Sequence, residues 1–111
     1  MNQTAELTYV NAGEIGNAVA AAGNNVVTGA PISTVGTNQL QGAAFGFVQP
    51  SGGWKSSSHP NAELTSSDGA PTDYFGDAVG ASGSLVIVGA PDHTVNGNVD
   101  QGAAYIFGPK Q

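Results

Sequence analysis

The stretch Tyr74–Asp92, YFGDAVGASGSLVIVGAPD, has a counterpart upstream at Glu14–Ile32, EIGNAVAAAGNNVVTGAPI. A shift of 60 aligns Gly13–Val48 with Asp73–Gly108 without a gap, and 17 of those 36 pairs are identical. Gly29-Ala30-Pro31 matches Gly89-Ala90-Pro91, and QGAAFGF at Gln41–Phe47 matches QGAAYIF at Gln101–Phe107. Further out, AELT occurs at Ala5 and again at Ala62, a shift of 57. The three extra residues of the second copy fall in SSDGAPTD, where Ser, Gly, Pro and Asp gather. Length varies where a surface loop is expected. Self-similarity at a fixed period is the mark of a repeat architecture.

Each copy reads as four short strands. The AEL segments are one, at Ala5–Val10 and about Asn61–Ser66. IGNAVAAAG and FGDAVGASG are the next, then NVVTGAP and LVIVGAP, then GAAFGFVQ and GAAYIFG. The one run with helical composition is Ala18–Ala22, but its counterpart AVGAS carries a central Gly, which costs a helix about 1 kcal/mol. Leu85–Val88 is a continuous β-prone run. Phe45 and Phe47, like Tyr105 and Phe107, are spaced by two and so share one face of their strand. Gly29 and Gly89 leave room for another backbone, and Pro31 and Pro91 end their strands because they donate no ladder hydrogen bond.

Composition narrows the function classes. Only Lys55 and Lys110 oppose eight carboxylates, giving a net charge of −6 over 111 residues. Two cations form no patch that could displace counterions from a nucleic acid, and an anionic membrane surface is disfavoured for the same reason. No apolar run approaches the roughly 20 residues of a membrane helix, so no membrane insertion is expected. There is no cysteine, which rules out disulfides, thiolate catalysis and cysteine-based zinc sites. The segment MNQTAELT has neither a basic nor an apolar signal region, so no signal peptide is expected in this chain.

A unit of 50–60 residues with four strands has the form of a propeller blade. With Phe75-Gly76 and Gly89-Ala90-Pro91 in place, the chain resembles the FG-GAP repeat family, the blades of integrin α-chain heads and of many bacterial surface and secreted proteins. SDGAPTDYFGDAVGASGSLVIVGAPDHTVNGNVDQGAAYIF is similar to the bacterial form, and GGWKSSSHPNAELTSSDG to its inter-blade segment. The first copy departs from it: Ile15 replaces the Phe of the FG pair, and VNAGE replaces the acidic turn. The resemblance implies an all-β propeller of four-stranded antiparallel blades, two per chain, with a first repeat at about 5–60 and a second at about 62–108. It also implies an extracellular or cell-surface setting and a binding or adhesion role. Propellers close with four to eight blades, so two blades need completion. Either the chain is a fragment or an engineered piece of a longer array, or it forms a head-to-tail cyclic homo-oligomer, a trimer or a tetramer. In the second case the outer AEL strand of one chain would complete the last blade of another and remove an exposed edge.

The residues offer little chemistry. Calcium is implied by the integrin likeness, but the corresponding loops, Ala21–Asn25 and Ala81–Leu85, hold no carboxylate, and a hard cation wants six to eight oxygens. No cofactor is expected on that ground. Two other acidic groups remain as weak calcium candidates: Asn96, Asn98 and Asp100 after the second GAP, and Asp68, Asp73 and Asp77 around the second FG. A polar turn for the first group and a backbone cap by Asp73 for the second are the preferred readings. His59 and His93 fall in loop sequences, SSSHPN and PDHT, and read as solvated. No nucleophile motif, phosphate loop or zinc motif occurs, so a non-enzymatic protein is expected. Glycan or protein binding is the leading class; the alternatives are a purely structural or engineered self-assembling propeller fragment without ligand and, third, a carbohydrate-active enzyme. Trp54, the only tryptophan, could stack on a sugar or pack between blades, and Tyr74 could present its hydroxyl at the propeller face.

Overall fold

The computed structural model describes residues 2–108. It is all-β, with two antiparallel sheets. The first contains β1 (Ala18–Ala22), β2 (Asn25–Ala30), β3 (Ala43–Val48) and β4 (Ala62–Leu64), in that order. The second contains β5 (Ala78–Ser82), β6 (Leu85–Ala90) and β7 (Ala103–Phe107). The Ala-rich run of β1 is therefore a strand. It pairs along its whole length with β2, Ala18 opposite Gly29 through Ala22 opposite Asn25.

The same local devices build both sheets. The β1–β2 and β5–β6 hairpins turn at Gly23 and Gly83, whose φ of 57° and 56° lie in the left-handed region, as a two-residue hairpin turn requires. Strand β1 begins at Ala18, not Ile15, because Glu14 (φ 61°) and Gly16 (φ 96°) form a turn closed by Asn17 N–H to the Glu14 carbonyl at 3.2 Å. Tyr74, Gly76 and Asp77 repeat that turn before β5. The link from β2 to β3 contains a turn in which Asn38 Nδ2 donates to Gln41 Oε1 at 2.8 Å. From β6 to β7, Asn98 Nδ2 donates to Gln101 Oε1 at 3.0 Å.

The expected strand at Ala5–Val10 does not form a ladder. Only Leu7 bridges, in parallel, to Ser57. Its side chain nevertheless packs with Tyr9, Ile15 and Trp54 on the buried cluster Ala30, Ala43, Phe45 and Phe47. Tyr9 meets Phe45 edge-on at 5.1 Å. A second cluster joins the two sheets: Val27 and Ala44 of the first meet Phe75, Val88 and Ala90 of the second, with Leu64, Val79, Tyr105 and Phe107 around them. Phe75 is fully buried and lies edge-on to Tyr105 at 5.5 Å and Phe107 at 5.9 Å. Such a ring contributes about 1.5–3 kcal/mol by burial alone.

Backbone contact fixes how the sheets meet. Strand β5 packs against β1 and β2. Residues 72–75 run along 39–41, with Thr72 N–H to Gln39 O (3.0 Å), Tyr74 N–H to Leu40 O (3.1 Å) and Phe75 N–H to Gln41 O (2.8 Å). A Cβ on Gly29 would collide with the carbonyl of Gly76, and one on Gly42 with the backbone of Phe75. The first GAP glycine is thus small because the FG turn of the next blade sits on it.

Candidate functional site

The densest polar constellation lies where the β4–β5 loop, the β6–β7 loop and β7 meet. His93 is buried, not solvated as its loop sequence suggests. Its Nδ1 lies 2.6 Å from Asp73 Oδ2, and its Nε2 lies 3.2 Å from Asp68 Oδ2. The Asp73 side chain is 4% exposed and that of Asp68 is 62% exposed, so one carboxylate is inside and the other at the surface. Asp73 Oδ2 also accepts Ala70 N–H at 3.0 Å, which closes the loop Asp68–Asp73 on itself. Tyr105 donates its hydroxyl to Asp68 Oδ1 at 2.7 Å.

Burial by itself would lower the His93 pKa. The hydrogen bond and charge of Asp73, with those of Asp68, outweigh it and hold His93 above the ordinary histidine value. The hydrogen bond from Tyr105, ahead of the charge of His93, holds Asp68 below the usual carboxylate range. Burial first, and then the bond to Asp68, push the Tyr105 phenol up to about 12. Each ring nitrogen of His93 faces a carboxylate oxygen, and an ionised carboxylate accepts from a nitrogen that carries a proton. The two carboxylates lie on opposite edges of the ring and do not converge on a common point. Among the described residues no group of three or more His, Asp or Glu is placed to hold a metal ion. The cluster is a clamp on the β4–β5 loop.

The remaining sequence candidates are dispersed. Asp77 is exposed and takes part through its backbone carbonyl, which accepts Asn17 Nδ2 at 3.2 Å from the first sheet. Asn98 is exposed and donates its side-chain amide to Gln101, and Asn96 (φ 50°) and Asp100 (φ 58°) shape the same turn by their left-handed backbone. Tyr74 is half-buried with φ 58°, and its backbone holds the turn before β5. Trp54 is half-buried against the Phe45–Phe47 cluster, so its ring packs on the core of the first sheet. His59 is exposed, and its Nδ1 lies 3.2 Å from Ser58 Oγ.

An apolar cleft of about 220 Å³ lies at the outer end of the joint between the sheets, lined by Val26, Gly46, Leu64, Leu85 and Phe107 among others. It is open beside Gly46, where the second copy carries Ile106. No local sequence pattern marks it, because a cleft depends on what faces Gly46 across the joint.

The FG-GAP repeat family model matches residues 60–107, from just before β4 to the last residue of β7. That segment is an FG-GAP repeat. Its Phe75-Gly76 is the turn that docks on the first sheet, and its Gly89-Ala90-Pro91 ends β6. No curated protein matches the chain. The repeat and the two antiparallel sheets make this a propeller-like module.

Proposed function

We propose that the chain is a non-enzymatic propeller module of the binding or adhesion type, which closes a ring by associating end to end with copies of itself. One observation carries this reading: the two outer faces of the chain are the repeat equivalents of the two faces that meet inside it. Within the chain, the rear of the first blade (Val27, Gly29, Ala44, Gly46) receives the front of the second (Phe75, Val79, Val88, Tyr105). Sixty residues on, the rear of the second blade is Ile87, Gly89, Ala104 and Ile106. Ile87 is 46% exposed and Ile106 is 71% exposed. On the front of the first blade Val19 is 65% exposed, whereas its equivalent Val79 is packed. Apolar faces of this kind mark an association surface, and a head-to-tail contact that repeats closes a ring.

The binding role draws on the family likeness and on the rim. Each blade carries the same locked Asn–Gln turn after its GAP, so a ring would repeat one polar turn per blade on a rigid frame. Such repetition suits a multivalent glycan or protein ligand. The commitment of both His93 nitrogens supports a non-enzymatic role.

The test is mass by light scattering on the wild type and on Gly89→Ala. Within the chain a Cβ at Gly89 meets only Ala78, with Cβ atoms 3.7 Å apart. In a ring it would meet Gly16 of the next copy, as a Cβ on Gly29 would meet Gly76. A threefold or fourfold wild-type mass, reduced to a folded monomer by Gly89→Ala, is the expected result. A monomeric wild type overturns the reading.

A further inference from the structure

Two differences between the repeats meet at the apolar cleft beside Gly46. Strand β7 carries Ile106 where β3 carries Gly46, and β6 carries Leu85 where β2 carries Asn25. Residues 44 and 46 share a face of β3, and Ala44 lies in the cluster that joins the sheets. A side chain at position 46 would therefore enter the joint. The cleft of about 220 Å³ stands in its place, and Leu85, 46% exposed, forms part of its wall.

Nothing in the fold asks for glycine at position 46. Glycine inside a strand marks a left-handed residue, a bulge, or a place where another backbone or a ligand comes close. The φ of Gly46 lies outside the left-handed region. The β2–β3 register runs unbroken from Asn25 opposite Val48 to Ala30 opposite Ala43, so there is no bulge. A Cβ built on Gly46 meets only Ala62 Cβ, at 3.7 Å, which is ordinary contact. Gly29 of the same sheet is the contrast, since the Gly76 carbonyl takes up its Cβ position. For Gly46 the close approach of a ligand is the reason that remains.

The lining indicates what that ligand is. Val26, Leu64, Leu85 and Phe107 make the cleft apolar, and none of the described residues that line it is charged. Asn61 and Ser84, both exposed, bring an amide and a hydroxyl to its margin. Phe107, half-buried, offers an aromatic neighbour, and rings pair edge-on or offset. A cavity of about 150 Å³ with such walls takes up benzene, so this one has room for a ring with a short alkyl chain. We infer that the joint between the blades binds a neutral compound built on a single aromatic ring, with its apolar part over Gly46 and a polar substituent toward Asn61 and Ser84. The site shares no residue with the polar turns 38–41 and 98–101. Both of its walls belong to one chain, so it is complete without the ring proposed above.

The probe is para-propylphenol, titrated into the full chain and followed by amide NMR shifts, with mass by light scattering recorded on the same sample. The expected result is a saturable shift centred on Gly46, Leu85 and Phe107. Gly46→Ile installs the second copy's side chain and should weaken binding at least about tenfold, the least that a methylene's worth of misfit costs in an apolar pocket. Circular dichroism should be unchanged. Leu85→Asn, at an exposed position, is the second variant and should also weaken binding by roughly tenfold, since it sets an amide against the ring. If Gly46→Ile disturbs the spectrum, Leu85→Asn decides alone. The ionised para-propylbenzoate should not saturate, because no cation faces it. No saturable shift, or an affinity unchanged in the folded variants, overturns the site, and equal binding of the benzoate overturns the neutral class. Saturable binding by a monomer overturns the ring and leaves this site standing.

Discussion

The two repeats hold the same turn against the same strand with different chemistry. In the first, the buried hydroxyl of Ser33 accepts Gly13 N–H at 2.8 Å. Residue 13 has no room to be larger there, since a Cβ would stand 2.6 Å from the carbonyl carbon of Ile32. In the second, the equivalent pair is Asp73 and His93, joined side chain to side chain at 2.6 Å. The leading loops differ too: 13 residues (65–77) join β4 to β5, against 10 (8–17) between Leu7 and β1. A neutral side-chain-to-backbone bond holds the shorter loop. The longer one has a larger reach to span, and the imidazole joins two points within it, Asp68 and Asp73, while Tyr105 ties Asp68 to β7. The charged clamp is the second repeat's answer to loop length, at the cost of burying a carboxylate.

That cost sets the largest expected effect. His93→Ala leaves Asp73 buried with only Ala70 N–H for company, and removing one partner of a buried ion pair costs about 3–5 kcal/mol. Denaturant unfolding followed by circular dichroism measures it. Asp73→Gly with His93→Ser transplants the first repeat's pair and leaves no charge inside. The double variant should be more stable than His93→Ala alone. If it is no better, the penalty comes from lost packing of the imidazole, and the contrast between the clamps is one of shape.

The GAP glycines offer the next contrast. Gly29→Ala forces a methyl into the Gly76 carbonyl of the neighbouring blade. Overpacking costs about 1–3 kcal/mol, and a backbone neighbour that cannot swing aside puts this one at the upper end. Gly89→Ala, with ordinary space around it, should stay within about 1 kcal/mol, since Ala in a strand recovers about 0.5–1 kcal/mol of backbone entropy. Unfolding of the two single variants at low concentration compares them without any ring. Equal effects would mean that the motif glycine serves its own strand and not the joint. Ser33→Ala comes third, at about 0.5–1.5 kcal/mol for one neutral hydrogen bond. An effect as large as that of His93→Ala would erase the distinction between the clamps.

Much of this fold was legible because its signals are local. The period of two places Phe45 with Phe47 and Tyr105 with Phe107, and the hairpin glycines fall at equal places in both copies. The clamp was not legible, because the burial of His93 depends on Asp73 and Asp68, 20 and 25 residues away in sequence. A signal did exist: Gly13 and Ser33 both differ from their equivalents Asp73 and His93, although the residues around Gly13 differ as well. Paired substitution between copies of a repeat is a contact signal, and here it marks a buried ion pair. Trp54 shows the opposite limit. Its sequence neighbours fit either a sugar platform or a core residue, and its packing beside the Phe45–Phe47 cluster is visible only in the fold.

The smallest effect separates the two carboxylates of the clamp. Asp68 is mostly exposed, and exposed pairs are worth about 0–1 kcal/mol after solvent screening. Asp68→Asn should therefore change stability at neutral pH by less than about 1 kcal/mol. Its signature lies in the pH dependence. Because His93 titrates above its ordinary value in the fold, its contribution is complete below about pH 6.5 and is lost as pH rises through the folded pKa. Because Asp68 titrates below its ordinary value of 3.8, its contribution is present above that value and is lost as pH falls through the folded pKa. Replacing Asp68 removes one of the two charges that hold His93 up, so the alkaline loss should begin at lower pH, and the acid loss due to residue 68 should vanish. A proton NMR titration of the His93 ring in both proteins, with thermal midpoints taken between pH 3 and 9, checks both shifts. An unchanged His93 titration would place the whole of its stabilisation on Asp73, leaving Asp68 and Tyr105 as a surface pair that merely lies beside the clamp.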